Sequence, residues 1–106
     1  MNSISVPDGA PQNVSGQKNS STSILVKWDE VAADKQNGII TGYSITYQSE
    51  TQNDNGRVNA SASERDKLLV DLKKYVNYSI TVFASTVKGA GRASDPIVVR
   101  TDQDSK

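Results

Sequence analysis

Leu72-Lys73-Lys74-Tyr75-Val76-Asn77-Tyr78-Ser79-Ile80-Thr81-Val82-Phe83-Ala84-Ser85-Thr86-Val87 settles the architecture. From Tyr78 onward the run alternates. Tyr78, Ile80, Val82 and Ala84 share one face; Asn77, Ser79, Thr81 and, less tidily, Phe83 and Ser85 share the other. A period of two over this length predicts a half-buried β-strand. Its β-branched and aromatic residues suit a pleated surface. This is the expected central strand of a sandwich, with Asn77 facing water because it is out of phase with Tyr78.

On the upstream side, Asp66 to Leu72 reads as a strand of ambiguous phase. Leu68, Val70 and Leu72 alternate, whereas Leu69 and Leu72 form the inward pair if the chain bends at Asp71. On the downstream side, Gly89 and Gly91 mark a tight hairpin loop over Lys88–Arg92. A phosphate cradle would need a helix after the glycines. Here Ala93–Thr101, with Pro96 followed by Ile97-Val98-Val99, reads as a strand.

Further out, Thr41–Ser49 alternates, with Tyr43, Ile45 and Tyr47 on the core side. Glu50–Gly56 is polar and ends in Asn55-Gly56, a hairpin turn pair. Arg57–Ala60 is then a short edge strand and Ser61–Arg65 a loop. Ser23–Asp29 is a strand with Ile24, Val26 and Trp28 in phase; the single tryptophan is expected to be the largest core filler. Pro11–Gly16, anchored by Val14, is a weak first strand, and Gln17–Thr22 a polar turn. Glu30–Ile40 is a loop with a turn at Asn37-Gly38. Asp29, Glu30 and Asp34 gather there, but their spacing matches no calcium loop and reads as solvated charge. The count is about seven short strands without helical periodicity. It points to an antiparallel, immunoglobulin-like sandwich, with a barrel as the competing solution.

Composition narrows the function. The chain has 106 residues, 35% hydrophobic and 23% charged, with a formal net charge of zero. This is one folded domain, with no global electrostatic pull toward nucleic acid or anionic membrane. No apolar run approaches the roughly 20 residues needed to span a bilayer. Met1–Ala10 lacks the basic and apolar regions of a signal peptide and reads as a tail or linker. Residues 11–102 form the domain, and 103–106 a short polar tail. Neither cysteine nor histidine is present. There is thus no disulfide framework, no thiol nucleophile and no usual structural zinc, and the commonest acid/base is missing. The expectation is that the domain is not an enzyme and uses no metal or cofactor.

The ordered series Pro11 with Val14, Ile24-x-Val26-x-Trp28, Ile40-Thr41-Gly42-Tyr43-x-Ile45-x-Tyr47, Leu69-x-x-Leu72, Tyr78-x-Ile80-x-Val82-x-Ala84 and Gly89-x-Gly91-x-x-Ser94-x-Pro96 resembles a fibronectin type III domain over Pro11 to Asp102. The run Asn37–Tyr47 looks like repeats of animal cell-surface adhesion receptors and receptor-type tyrosine phosphatases. The resemblance implies that Tyr78 is a tyrosine-corner residue bonded to backbone near Leu72. It also implies that Leu69 and Leu72 point inward, leaving Leu68 and Val70 more exposed. Lys74 departs from the proline common at that position. The arginine-glycine-aspartate triplet and the Trp-Ser-x-Trp-Ser motif are both absent.

The implied role is a non-catalytic structural or protein-interaction module of a multidomain receptor ectodomain. Its partners would be neighbouring fibronectin type III or immunoglobulin domains and an extracellular protein ligand. Nucleic acid and direct membrane contact are not expected, and the isolated domain should be monomeric. It would lie in the extracellular part of a membrane protein, or be secreted. The alternative is a spacer or accessory module of a secreted, for example carbohydrate-active, enzyme, for which only Tyr75 and Phe83 could stack on sugar. Asn13, Asn19, Asn59 and Asn77 each head an N-glycosylation sequon, which fits extracellular residence. Candidate partner loops are Glu30–Ile40, Lys88–Arg92 and Glu50–Gly56, with Arg57 and Arg92 as candidate anchors. The expected structural core is Trp28, Tyr43, Ile45, Tyr47, Leu72, Tyr78, Ile80 and Val82.

Overall fold

A computed structural model describes residues 4–51 and 53–102 of the chain. Its strands are β1 (Gln12–Ser20), β2 (Ser23–Asp29), β3 (Gly42–Ser49), β4 (Asn55–Ser61), β5 (Asp66–Leu69), β6 (Asn77–Thr86), β7 (Gly89–Ala93) and β8 (Ile97–Arg100). One sheet has the order β1-β2-β5. The other runs β4-β3-β6, with both β7 and β8 paired to the far side of β6. All pairings are antiparallel. The eight segments therefore fill seven lanes of an immunoglobulin-like sandwich. Pro96, which has no N–H, lies in the break between β7 and β8. Ser94 bridges it: its N–H donates to Val82 O at 2.8 Å, and its Oγ accepts the Val82 N–H at 2.9 Å.

β6 carries the core as its alternation requires. Tyr78, Ile80, Val82 and Ala84 are fully buried, and Thr86 extends the phase. From the facing sheet come Ile24, Val26, Trp28 and Leu69; Tyr43 and Ile45 of β3 complete the centre. The Trp28 and Tyr43 rings lie 5.5 Å apart, tilted by 49°. The Leu69/Leu72 question resolves at Asp71. Its φ of 58° bends the chain, so that Leu69 and Leu72 are buried while Leu68 and Val70 are 41% and 52% exposed. Tyr47 is only partly buried against this core. Val31 and Val76, in loops, are buried core residues.

Several expectations need correcting, among them the strand expected over Asp66–Leu72, which is only Asp66–Leu69. First, β1 runs on to Ser20, and the turn shrinks to Ser21-Thr22. Gln17 and Lys18 pair with Leu25 and Ile24, and a backbone ladder needs no apolar side chains. Second, Asn55-Gly56 is not a turn. Both residues pair within β4, opposite Gln48 and Tyr47; ahead of them Asn53 has φ 54° and Asp54 O accepts the Ser49 N–H. Gly56 is there for space: a Cβ would stand 2.6 Å from the Tyr47 hydroxyl. Third, the hairpin between β6 and β7 turns at Val87-Lys88, with Gly89 beside the turn at φ 128° as a tight turn asks of glycine, but Gly91 and Arg92 lie within β7 rather than in a loop. Fourth, the expected single strand over Ala93–Thr101 is only Ile97–Arg100.

Candidate functional site

Two clusters of loops cap the sandwich. At the end where β6 begins, Tyr78 is the organising side chain. Its hydroxyl accepts the Lys73 N–H at 2.8 Å and donates to Asp54 Oδ2 at 2.6 Å. The first bond is the corner expected near Leu72; the second ties in the β3–β4 loop, which no local sequence signal indicated. Burial, then the hydrogen bond to Asp54, pushes the Tyr78 phenol up to about 12. Thr101, itself buried, accepts the Val76 N–H and donates to Lys73 O. Next to it Tyr75 is exposed, with the Arg100 guanidinium 4.8 Å from its ring centroid.

At the opposite end, residues 4–10 are not a free tail. Ser5 N–H donates to Asn37 O and Asp8 N–H to Lys35 O, at 3.0 and 2.8 Å. Asn37 Nδ2 donates to Val6 O, and Thr86 Oγ1 to Ser5 O. Pro7 is buried over Gly91, where a Cβ would fall 2.6 Å from the Pro7 Cβ. Gly91 thus makes room for this segment. The loop Glu30–Ile40 holds a 3-10 turn at Ala33–Lys35. Glu30 pairs with Arg65 at 3.3 Å, and Arg65 in turn lies 5.3 Å from the Tyr43 ring centroid.

The structure does not bring the two candidate anchors together. Arg57 sits on β4 and Arg92 on β7, at opposite edges of one sheet. Arg57 lies 5.9 Å from the Phe83 ring centroid and borders a shallow groove with Thr46, Gln48, Ser79 and Thr81. Arg92 borders a groove with Pro11, Val14, Pro96 and Ile97. The two candidate sugar-stacking rings, Tyr75 and Phe83, therefore each have an arginine over one face.

Among the sequons, Asn13 donates to Asp29, Asn19 to Ser23 Oγ and Asn77 to Glu50; Asn77 also accepts from Arg100. Asn59 is exposed, and among the described residues its side chain uses only its Oδ1, which accepts from Ser44. Among the described residues, no group of His, Cys, Asp or Glu is placed to hold a metal ion, and no helix is long and apolar enough to cross a membrane.

A family profile described as "Fibronectin type III domain" matches residues 9–100, and the chain belongs to that family. It is 38% identical over 103 residues to human receptor-type tyrosine-protein phosphatase F, covering 94% of this chain and 5% of that protein. It is also 38% identical over 102 residues to chicken protein sidekick-1, with the same shares. Among solved structures, the chicken CNTN1 FN1-FN3 domains match with a TM-score of 0.83 at 30% identity, over 93% of this chain and 33% of that one. The chain thus spans about one twentieth of the curated relatives it matches.

Proposed function

We propose that this domain is a non-catalytic structural and protein-interaction module in the ectodomain of a multidomain cell-surface adhesion or signalling receptor. The observation that carries this is its likeness, over nearly its whole length, to a small part of two much larger proteins, one a receptor-type phosphatase. In this reading the domain spaces neighbouring fibronectin type III or immunoglobulin domains, and any catalysis belongs elsewhere in the longer chain. Partner proteins meet the end loops or the exposed Arg57 and Arg92. As an isolated domain it is monomeric, without nucleic-acid or direct membrane contact.

The four N-glycosylation sequons support the extracellular placement. Asn59 is the foremost acceptor, because its amide nitrogen makes no hydrogen bond among the described residues. A glycan there would cover part of the outer β4–β3–β6 face and leave the end loops free. The test is expression of the full-length protein in animal cells. A membrane-impermeant reagent should label it, and endoglycosidase treatment should lower its mass by less in Asn59→Gln. A full-length protein inaccessible to the reagent and unchanged by the endoglycosidase would refute the proposal.

A further inference from the structure

Four apolar side chains gather where residues 4–10 meet the sandwich: Ile4, Val6, Ile39 and Val87. Ile39 is 83% and Val87 74% exposed, and Ile4 about half exposed. Gly38 and Thr86 bring them together. A Cβ on Gly38 would fall 2.9 Å from Ile4 Cγ2 and 3.4 Å from Thr86 Cγ2. Ile39 and Val87 directly follow these two residues in the chain. Gly89 lies beside Val6 in the same way, with a Cβ there 3.7 Å from Val6 Cγ1. A single exposed valine is ordinary; several converging on one end of a domain mark a contact surface. The segment carrying Ile4 and Val6 is itself fixed by the hydrogen bonds of Ser5, Asn37, Asp8 and Thr86. Ile4, the first described residue, is therefore held beside this patch.

We propose that Ile4, Ile39 and Val87 are the seat of the preceding module of the same polypeptide, an apolar end contact that sets the angle between the two. The proposal rests on the reading of the chain as one module of a longer receptor. Two further observations select this occupant over a soluble ligand. The curated relatives are about twenty times longer than the chain. One matched structure carries three domains, of which this chain matches a third.

The test uses carbene footprinting of the full-length protein, with residues 1–106 alone as reference. Labelling of Ile39 and Val87 should be several-fold lower in the full-length protein. In full-length Ile39→Ser/Val87→Ser, electron microscopy should show a broader spread of angles between this module and the one before it. Equal labelling in the two proteins, an unchanged angular spread, or a natural chain with no folded module ahead of residue 1 would each overturn the proposal. So would protection that appears in residues 1–106 alone as concentration rises, which would assign the patch to a second copy. Surface labelling of cells separates the two readings. A protein exposed on cells but with Ile39 unprotected leaves the receptor reading standing and removes this one. A protected Ile39 in a protein absent from the surface does the reverse.

Discussion

The Tyr78 hydroxyl donates to Asp54 Oδ2 at 2.6 Å while accepting the Lys73 N–H, so one phenol joins two loops that lie 19 residues apart in sequence (73 − 54 = 19). A hydrogen bond to an ionised acceptor is shorter and stronger than a neutral one. It also leaves the buried hydroxyl with a partner for both its donor and acceptor roles, which removes a desolvation penalty. The corner therefore stabilises the β3–β4 loop as well as the chain leading into β6.

Tyr78→Phe is expected to destabilise the domain by about 1–3 kcal/mol in a denaturant titration. Asp54→Ala should cost less, since Tyr78 keeps its bond to Lys73. The double variant should lose less than the sum of the single losses, because both remove the same bond. Strict additivity would refute the coupling.

Alkaline pH should expose the same bond. Tyr78 is held near 12 in the folded state against an ordinary value of 10.0, with burial the first cause. Tyr43 and Tyr47 are also raised, again chiefly by burial. The folded state favours the neutral phenol, so its contribution is complete below pH 10 and is lost as pH rises toward 12. Urea midpoints should fall through this window, and less steeply in Tyr78→Phe than in the parent. A flat profile in the parent would contradict the assignment.

Trp28→Ala should cost about 3–5 kcal/mol and Leu69→Ala about 2–5 kcal/mol, as both empty a packed core. Leu68→Ala, one residue away but 41% exposed, should cost less than about 1 kcal/mol. The contrast between adjacent leucines tests the register directly; equal losses would mean that β5 is placed one residue out.

Gly91→Ala tests the docking of residues 4–10. The added Cβ would fall 2.6 Å from the Pro7 Cβ and 2.7 Å from its carbonyl oxygen, so the segment must move. A loss of about 1–3 kcal/mol is expected from the overpacking. Hydrogen exchange at the Ser5 and Asp8 amides should rise while the β6 amides stay protected. Unchanged exchange at Ser5 and Asp8 would show that the segment is not held there.

What was legible in the sequence follows the range of the force involved. β6 could be read because its alternation is local and one face is wholly buried. The Leu68/Leu69 choice was not resolved by periodicity, since both phases are apolar; the φ at Asp71 decides it, and only family likeness anticipated the result. Asn55-Gly56 and Gly91 misled for one reason: glycine signals a turn locally, yet here it serves close approach by Tyr47 and Pro7 from elsewhere in the chain; Gly89, with φ 128° beside the turn, is the one read correctly. Residues 4–10 are nearly featureless in sequence because backbone groups of residues 5–8 hold them. Asp54 could not be paired with Tyr78 from spacing, since that contact exists only once β3 pairs with β6 and sets Ser49 opposite Tyr78. The sequons and arginines were plain to see, but whether a glycan or a partner uses them depends on chemistry outside the domain.

Thr86 grips Ser5 at one end of β6, and Thr101 grips Val76 just before the other. Both ends of the described chain are thus referred to β6 or the residue just before it. The ten steps from Val76 to Thr86 amount to about 33 Å at ordinary strand rise. In an array of such modules, β6 acts as the ruler for the pitch. Lengthening a surface loop would leave the pitch unchanged, whereas deleting one residue pair from β6 would shorten it by about 7 Å per module.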